Sequence, residues 1–196
     1  MEDEYKTISE KAIGEGYFTN KRSKFLAFAH HVSSVEEADQ IIASYRCKYH
    51  DARHCCYAYM IGPAHDCFRA NDDGEPSSTA GKPILGQIQS AELTDVLIVV
   101  VRYYGGINLG TSGLIEAYRT AAADALAHCT TETRQVEETI TFNFSYPMIN
   151  SVMRVVKAMN PRVLSRDFGT SCTITLSIRK SKAEELKSRL DKISFQ

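Results

Sequence analysis

The fold is decided by residues 99–119, which read VVVRYYGGINLGTSGLIEAYR. The aliphatic run before Arg102 predicts a strand at 95–102 that is buried on both faces, because neither alternate set of side chains is polar. Apolar residues then recur at helical spacing and predict a helix at 112–128. Glycines are concentrated in the corner between these elements, where side chains would obstruct a tight turn or a close ligand.

The segments before this corner predict the rest of an α+β domain. Ser34, with Glu37 three residues later, has the spacing of a helix capping box. The elements predicted for this half are a strand at 24–32, a helix after Ser34, a strand at 55–61, a polar loop at 69–82 and a short helix at 84–93. A chain of this length can bury an adequate core.

The polar stretch TTETRQVEE (130–138) predicts a linker to a second module. The elements predicted beyond it are a strand at 139–146, a helix at 147–159, strands at 162–168 and 171–179, and a helix at 181–192. This order gives most of a ferredoxin-like unit, with the terminal ISFQ as its last strand. We therefore predict an α+β protein of two domains, residues 1–132 and residues 137–196.

Charge is unevenly distributed, although the chain of 196 residues has a formal net charge of −1. Residues 137–196 contain 10 Lys and Arg against 6 Asp and Glu, whereas residues 1–136 contain 13 against 18. This asymmetry favours two modules with different partners, and chance scatter of surface charge is the alternative. The basic residues expected to contact RNA phosphates in the second module are Arg162, Arg166, Arg179, Lys180 and Lys182.

The composition is that of an ordinary soluble protein, with 43% hydrophobic residues. The longest aliphatic run, residues 96–101, is far shorter than the roughly 20 residues that a membrane-spanning helix needs. The polar start MEDEYKTISEK is unlike a signal peptide. The cysteines include no CxxC pair, so we expect free thiols rather than a zinc or redox site. We predict a cytoplasmic protein with no membrane partner, no metal and no cofactor.

The glycine-rich corner predicts a binding site for an anion. The first turn of a helix has unpaired N–H groups and a partial positive charge, so bare backbone beside hydroxyl side chains can hold a phosphate. The residues expected there are Gly105, Gly106, Asn108, Gly110, Thr111 and Ser112, with Arg102 as a second contact. The spacing matches neither GxxxxGK[ST] nor GxGxxG. The alternative is that the glycines serve only tight turns and close packing.

Two adjacent tyrosines follow Arg102 in this corner. Arg102 and Tyr104 are expected on one face of the strand and Tyr103 on the other, because side chains alternate along a strand. At least one ring is expected near the surface, where it can stack on a base or anchor a protein partner. Packing of both rings against the core is the alternative.

The polar loop contains three carboxylates, Asp72, Asp73 and Glu75, which are suitable ligands for Mg²⁺. Ordinary turn chemistry is the alternative, since Asp and Gly favour tight reversals. Arg69 and Lys82 flank this acidic cluster and can neutralise it.

His54 is the candidate base beside the cysteines of the second strand. It shares a strand face with Cys56 but not with Cys55, and a nucleophilic cysteine needs such a partner. Buried cysteine mostly behaves as a small hydrophobic residue, so we predict no catalytic residue.

Three segments together resemble the IMPACT/YigZ family in its bacterial two-domain type. They are ARHCCYAY (52–59), RANDDGEPSSTAGKPIL (69–85) and VVVRYYGGINLGTSGLIEAYRTAA (99–122). The resemblance implies an N-terminal domain similar to ribosomal protein S5 domain 2. It also implies a ferredoxin-like C-terminal domain similar to the last domain of elongation factor G. The sequence departs from the family pattern at Ser78, Ser112 and Glu116, and Glu116 weakens an anion site by repulsion.

The resemblance implies a non-enzymatic binding protein in translation regulation, with RNA, the ribosome or a translation factor as its partner. The alternative is a binder or enzyme for a phosphorylated small molecule or nucleotide, held at the glycine-rich corner with Mg²⁺ on the acidic loop. The predicted binding residues are His54, Arg69, Asp72, Asp73, Glu75, Arg102, Tyr103, Tyr104, Gly105, Gly106, Asn108, Gly110, Thr111 and Ser112.

Overall fold

Ten strands and five α-helices are formed within residues 3–169 and 171–194, which the computed structural model describes. The strands are β1 (Glu4–Ile8), β2 (Gly14–Asn20), β3 (Ser23–His31), β4 (His54–Ile61), β5 (Cys67–Asn71), β6 (Val96–Tyr103), β7 (Thr131–Gln135), β8 (Glu137–Phe144), β9 (Arg162–Phe168) and β10 (Cys172–Arg179). The helices are α1 (Val35–Lys48), α2 (Gly81–Ser90), α3 (Gly110–Ala127), α4 (Ile149–Met159) and α5 (Lys180–Ser194), with a 3-10 turn at Tyr146–Met148.

The central strand of the larger sheet is β6. This five-stranded antiparallel sheet has the order β2-β3-β6-β4-β5. Val96, Ile98 and Val100 pack in a core with α2 and α3, whereas the alternate side chains of β6 pack with α1. The predicted strand buried on both faces is confirmed, because helices cover both sides of the sheet.

The chain divides into two compact units, residues 5–134 and residues 135–194 with Asp3 and Glu4. The second unit has a three-stranded antiparallel sheet, β8-β10-β9, whose core packs with α4 and α5. The predicted α+β class with two units is confirmed, and the domain limits 1–132 and 137–196 remain a prediction. Within the described ranges, no helix combines the length and the apolar composition needed to cross a membrane.

The division between the two units falls within the predicted linker at 130–138, after Arg134, but most of this segment is strand rather than loop. Thr131–Gln135 forms β7, which pairs with β1, and β8 begins at Glu137. Alternate residues of β7 are partly buried, and one of them, Arg134, forms ion pairs with Glu10 and Glu132. The polar composition of this segment therefore concealed a strand with period-two burial.

Two further boundaries differ from the sequence-based expectation. The polar loop starts later than predicted, because Arg69 and Asn71 belong to β5, and α2 already begins at Gly81. The predicted last strand, ISFQ, is wrong in its first half, because Ile193 and Ser194 continue α5. Phe195 and Gln196 lie outside the described residues.

Close packing between β2 and α3 fixes the edge of the larger sheet. A Cβ on Gly16 would lie 2.6 Å from the carbonyl oxygen of Ala121 and would overlap the backbone of Ala125. The backbone N–H of Tyr17 donates to Asp124 Oδ2 at 2.8 Å. Glycine is therefore required where this strand meets the helix.

Substitution Gly16→Ala is expected to lower the free energy of unfolding by about 1–3 kcal/mol, because backbone atoms must move to admit the methyl group. The matched control is Gly86→Ala in α2, where a Cβ meets nothing within 4 Å. The control should raise stability by roughly 0.5–1 kcal/mol through helix propensity. Urea unfolding of both variants measures the two changes, and effects of the same sign would contradict the packing argument.

Candidate functional site

Arg102 is the residue around which several predicted site residues are arranged. It lies near the end of β6, and its side chain is 6% exposed. Its Nη1 donates to Glu75 Oε1 at 2.6 Å, and the hydroxyl of Tyr118 donates to the same oxygen at 2.8 Å. Its Nε has no hydrogen-bond partner in the described part of the chain. The guanidinium charge is therefore held inside the protein by one carboxylate.

His54 lies opposite Arg102 in the pairing of β4 with β6. Its Nδ1 donates to the carbonyl oxygen of Asp73 at 2.8 Å, and its Nε2 lies 3.8 Å from Glu75 Oε1. A carbonyl oxygen can only accept, so this contact assigns the proton to Nδ1. We use the name buried polar cluster for His54, Cys56, Glu75, Arg102 and Tyr118.

The thiol and the phenol of this cluster are both protonated. Burial raises the pKa of the Cys56 thiol, whose sulfur lies 3.1 Å from the carbonyl oxygen of Asp72 and 3.3 Å from the Tyr118 hydroxyl. Burial also raises the pKa of Tyr118. The thiolate, not the thiol, is the reactive form of cysteine, so the cluster contains no activated nucleophile.

The acidic loop uses its carboxylates to organise its own backbone. Asp72 accepts three backbone N–H groups, from Ser78 at 2.8 Å, Ala80 at 3.0 Å and Gly81 at 2.8 Å. Two of these donors belong to the start of α2, which Asp72 therefore caps. Asp73 accepts from the backbone N–H of Cys55 at 2.7 Å and from Arg46 at 3.0 Å. No group of three potential ligands within the described residues is placed to hold a metal ion.

Ser23 ties the glycine-rich corner to the buried polar cluster. Its hydroxyl oxygen accepts from the backbone N–H of Gly105 at 3.1 Å and lies 3.4 Å from Nη2 of Arg102. A Cβ on Gly105 would overlap the backbone of Arg22. Glycine at this position therefore lets the corner lie directly against the turn between β2 and β3.

The rest of the corner is open to solvent. Gly106 and Gly110 have φ angles of 83° and 73°, which glycine adopts without strain, and a Cβ on either would meet nothing within 4 Å. Thr111 and Ser112 are exposed in the first turn of α3, and the side chain of Leu109, the N-cap residue, forms no cap hydrogen bond. The corner thus presents backbone and two hydroxyl groups.

The cation predicted for this corner is not available there. Arg102 as the expected anion contact is wrong, because its guanidinium is buried against Glu75. Arg69, predicted to flank the acidic loop, is exposed on β5, where it pairs with Tyr59 of β4.

The two tyrosines point to opposite faces of the sheet. Tyr103 packs on the α1 side and donates to Asp51 Oδ1 at 2.8 Å, a bond that raises the pKa of Tyr103. Tyr104 is 47% exposed and donates to Asn108 Oδ1 at 3.1 Å. Its ring centre lies 5.4 Å from Cζ of Arg102. Tyr104 is thus a surface aromatic residue whose inner ring face is next to the buried guanidinium of Arg102.

Sequence reasoning missed two cations close to Tyr104. They are Lys21 and Arg22 in the turn between β2 and β3, and the backbone of Arg22 lies against Gly105, the residue after Tyr104. Both are exposed and form no ion pair within the described ranges. The exposed Lys24 pairs with Tyr103 across the strands, so it lies on the sheet face of Tyr103 and not on that of Tyr104. We use the name basic corner for Lys21, Arg22 and Tyr104. The polar stretch NKRS (20–23) could have indicated a cationic hairpin turn. It is recognisable as a turn only if the preceding stretch GEGYFTN (14–20) is assigned to a strand.

The opposite end of β3 is acidic. A cavity of about 800 Å³ is lined there by residues that include Glu10, Glu15, Glu37, Asp95, His31 and Arg134. Nη1 of Arg134 lies 3.0 Å from Nε2 of His31, and its Nη2 donates to Glu10 at 2.9 Å. Since guanidinium only donates, His31 accepts this bond through a ring lone pair. Four carboxylates of the first unit therefore line a cavity at the end of β3 that is remote from the β2–β3 turn.

The first unit matches a family model described as the Impact N-terminal domain, over residues 21–126. This chain belongs to the IMPACT family. The Escherichia coli (strain K12) protein named IMPACT family member YigZ is 32% identical over 172 residues, which are 87% of this chain and 84% of that protein.

Two solved structures resemble the IMPACT-family chain. One, described as a crystal structure of a hypothetical protein, has a TM-score of 0.78 and 28% identity, and the match covers 99% of this chain and 94% of that one. The other is described as the two-domain translational regulator Yih1. It has a TM-score of 0.41 and 24% identity, and the match covers 63% of this chain and 49% of that one.

Substitution Glu75→Gln is expected to lower the free energy of unfolding by about 3–5 kcal/mol, because the guanidinium of Arg102 then remains buried without a counterion. The matched control is Glu92→Gln, which removes one partner of the exposed Lys6–Glu92 pair. The control should cost less than about 1 kcal/mol. Urea unfolding of both variants measures the difference, and similar small losses would contradict the buried-pair assignment.

Stability is expected to fall as the pH decreases below about 6.5, because His30 is held neutral in the fold. Burial lowers the pKa of His30, whose Nε2 lies 2.8 Å from the Tyr45 hydroxyl. The unfolded chain therefore takes up the proton at a higher pH than the folded chain does. Unfolding of His30→Gln at pH 7.5 and 5.5 should show a weaker pH dependence than the wild type. An unchanged pH dependence in His30→Gln would contradict this assignment.

Proposed function

We propose that this IMPACT-family chain is a non-enzymatic binding protein whose basic corner contacts RNA. Membership of the IMPACT family supports a role related to translation, and RNA is the partner whose chemistry fits the corner. The observation that carries the proposal is the backbone conformation of Lys21 and Arg22 at the tip of the β2–β3 hairpin.

Both residues of this turn have positive φ angles, 43° for Lys21 and 67° for Arg22. The two central residues of a type I′ hairpin turn require such angles, and Asn-Gly is the favoured pair. A residue with a Cβ costs roughly 1–2 kcal/mol in this left-handed region. Strain of this kind persists at functional sites. The hairpin thus gives up stability to carry two adjacent cations at its tip.

The cations of the basic corner are suited to a polyanion. Two adjacent, exposed cations, Lys21 and Arg22, lie in the turn next to the residue that follows the exposed ring of Tyr104, and neither is neutralised by an ion pair within the described residues. Phosphates that contact such cations release condensed counterions, which drives binding and makes it sensitive to salt. The acidic cavity at the other end of β3 favours approach of RNA from the basic side.

The alternative, a phosphorylated small molecule at the start of α3, has less support. Its expected cation, Arg102, is buried against Glu75, and Glu116 lies exposed on the same helix. The carboxylates expected to hold Mg²⁺ already accept hydrogen bonds, Asp72 from the backbone of Ser78 and Gly81, Asp73 from the backbone of Cys55, and Glu75 from Arg102.

Cations of the second unit give weaker support for an RNA contact. Arg162 donates to Glu137 at 2.7 Å, and Arg179 pairs with Asp3 at 2.9 Å and Glu4 at 3.1 Å. Arg166, Lys180 and Lys182 remain candidates for a second contact. The proposal therefore rests on the first unit.

The double substitution Lys21→Asn/Arg22→Gly tests the proposal by separating stability from binding. It should raise the free energy of unfolding by about 1 kcal/mol, and the melting temperature by roughly 3 °C, because the turn then has its favoured residues. It should also weaken RNA binding and reduce the slope of log K against log[salt] by roughly 0.7 for each lost phosphate contact with a single strand. Thermal unfolding and anisotropy titrations with a labelled RNA oligonucleotide measure the two effects.

The control is Lys6→Gln/Lys11→Gln, which removes two exposed cations outside the basic corner. This variant should retain the RNA affinity and the salt slope of the wild type. A gain in stability with unchanged RNA affinity in Lys21→Asn/Arg22→Gly would overturn the proposal. RNA binding that does not weaken with added salt would do the same.

A further inference from the structure

Tyr104 is the aromatic member of the basic corner, and its ring is held from below. The guanidinium of Arg102 lies 5.4 Å from the Tyr104 ring centre and 5.5 Å from that of Phe25. Phe25 is fully buried, whereas Tyr104 is 47% exposed. From the core outward, the order is therefore a buried ring, a buried cation and an exposed ring.

The cation beneath Tyr104 cannot move freely. Glu75 accepts from its Nη1 at 2.6 Å, and Tyr118 of α3 donates to the same carboxylate oxygen. Ser23 contacts both Nη2 of Arg102 and the N–H of Gly105, which directly follows Tyr104. The Ser23 hydroxyl therefore contacts both the guanidinium beneath the Tyr104 ring and the backbone next to Tyr104.

The outer part of the Tyr104 ring is free for a ligand. Its hydroxyl donates to Asn108 at the edge of the ring, so this bond does not cover the ring face. The turn that carries Lys21 and Arg22 lies next to Tyr104, because Gly105, the residue after Tyr104, packs against the backbone of Arg22. An exposed aromatic face beside cations provides a stacking surface for a base and contacts for the phosphates next to it.

We infer that the basic corner binds single-stranded RNA, with one base stacked on the outer face of Tyr104 and Arg102 acting beneath the ring as a positioning residue. This inference rests on the proposed function and names the form of RNA that it requires. The bases of a duplex are stacked on each other, so a single exposed ring gains contact area only from an unpaired base. Stacking tolerates any base, because every base has a π face.

The test compares three probes at one salt concentration. They are a 12-nucleotide RNA strand, a strand of equal length with abasic residues, and a 12-base-pair RNA duplex. The wild type should bind the normal strand about 5-fold to 150-fold more tightly than the abasic strand, the range that corresponds to stacking of one base. It should also prefer the normal strand to the duplex.

Variants of Tyr104 assign this preference to the ring. Tyr104→Phe retains the ring and should retain the preference for the normal strand over the abasic strand. Tyr104→Leu should remove that preference while the salt slope, which reports the cations, stays at the wild-type value. A preference that survives in Tyr104→Leu overturns the inference.

Arg102 requires a variant that folds without a buried unpaired charge. Glu75→Leu/Arg102→Met removes both ions, an exchange that is often neutral or stabilising. It should keep the melting temperature and salt slope near their wild-type values and lower the discrimination against the abasic strand. Unchanged discrimination in a folded double variant overturns the positioning role of Arg102.

Failure of this inference can be distinguished from failure of the proposed function. Equal, salt-dependent binding of the normal and abasic strands, or a preference for the duplex, overturns the stacking inference and leaves RNA binding through the cations standing. Absence of binding to all three probes at low salt overturns both.

Discussion

The ion pair between Arg102 and Glu75 is the constraint on which the surrounding structure depends. Transfer of two ions out of water costs several kcal/mol for each, and the cost is offset only where both are well hydrogen-bonded. The loop before α2 supplies Glu75, and α3 supplies the Tyr118 hydroxyl to the same oxygen. Loop, helix and central strand are therefore held in one arrangement, which also supports the exposed ring of Tyr104.

The central strand is predictable because its aliphatic run leaves no polar face, and α3 because its apolar residues recur at helical spacing. The partner of Arg102 is not predictable in this way, since Glu75 is 27 residues away in sequence. Three carboxylates occur in that loop, and the choice depends on which of them the loop backbone already occupies. Asp72 and Asp73 accept backbone N–H groups, which leaves Glu75 for the guanidinium.

Elements whose composition is polar or rich in glycine are the ones that sequence reasoning missed. In β7, exposed Thr and Gln side chains alternate with the partly buried, ion-paired Glu132 and Arg134, so the average composition of the segment indicates a linker. In β2, Gly14 and Gly16 are incompatible with a propensity-based strand prediction. Their presence is explained by the approach of the α3 backbone, a tertiary requirement that no local pattern contains. The cations at the tip of the β2–β3 hairpin were missed for the same reason.

The glycines of β2 have a further consequence for the hairpin that this strand begins. A slip of β2 by one residue would turn Glu15 or Tyr17 toward α3, where even a methyl group at the Gly16 position overlaps backbone. The register of β2 is therefore set by the lack of space for a side chain between this strand and α3. The turn does not favour this register, because Lys21 and Arg22 have positive φ angles. The packing of α3 on the glycines of β2 thus keeps the strand in register, although the turn at the other end of β2 is strained.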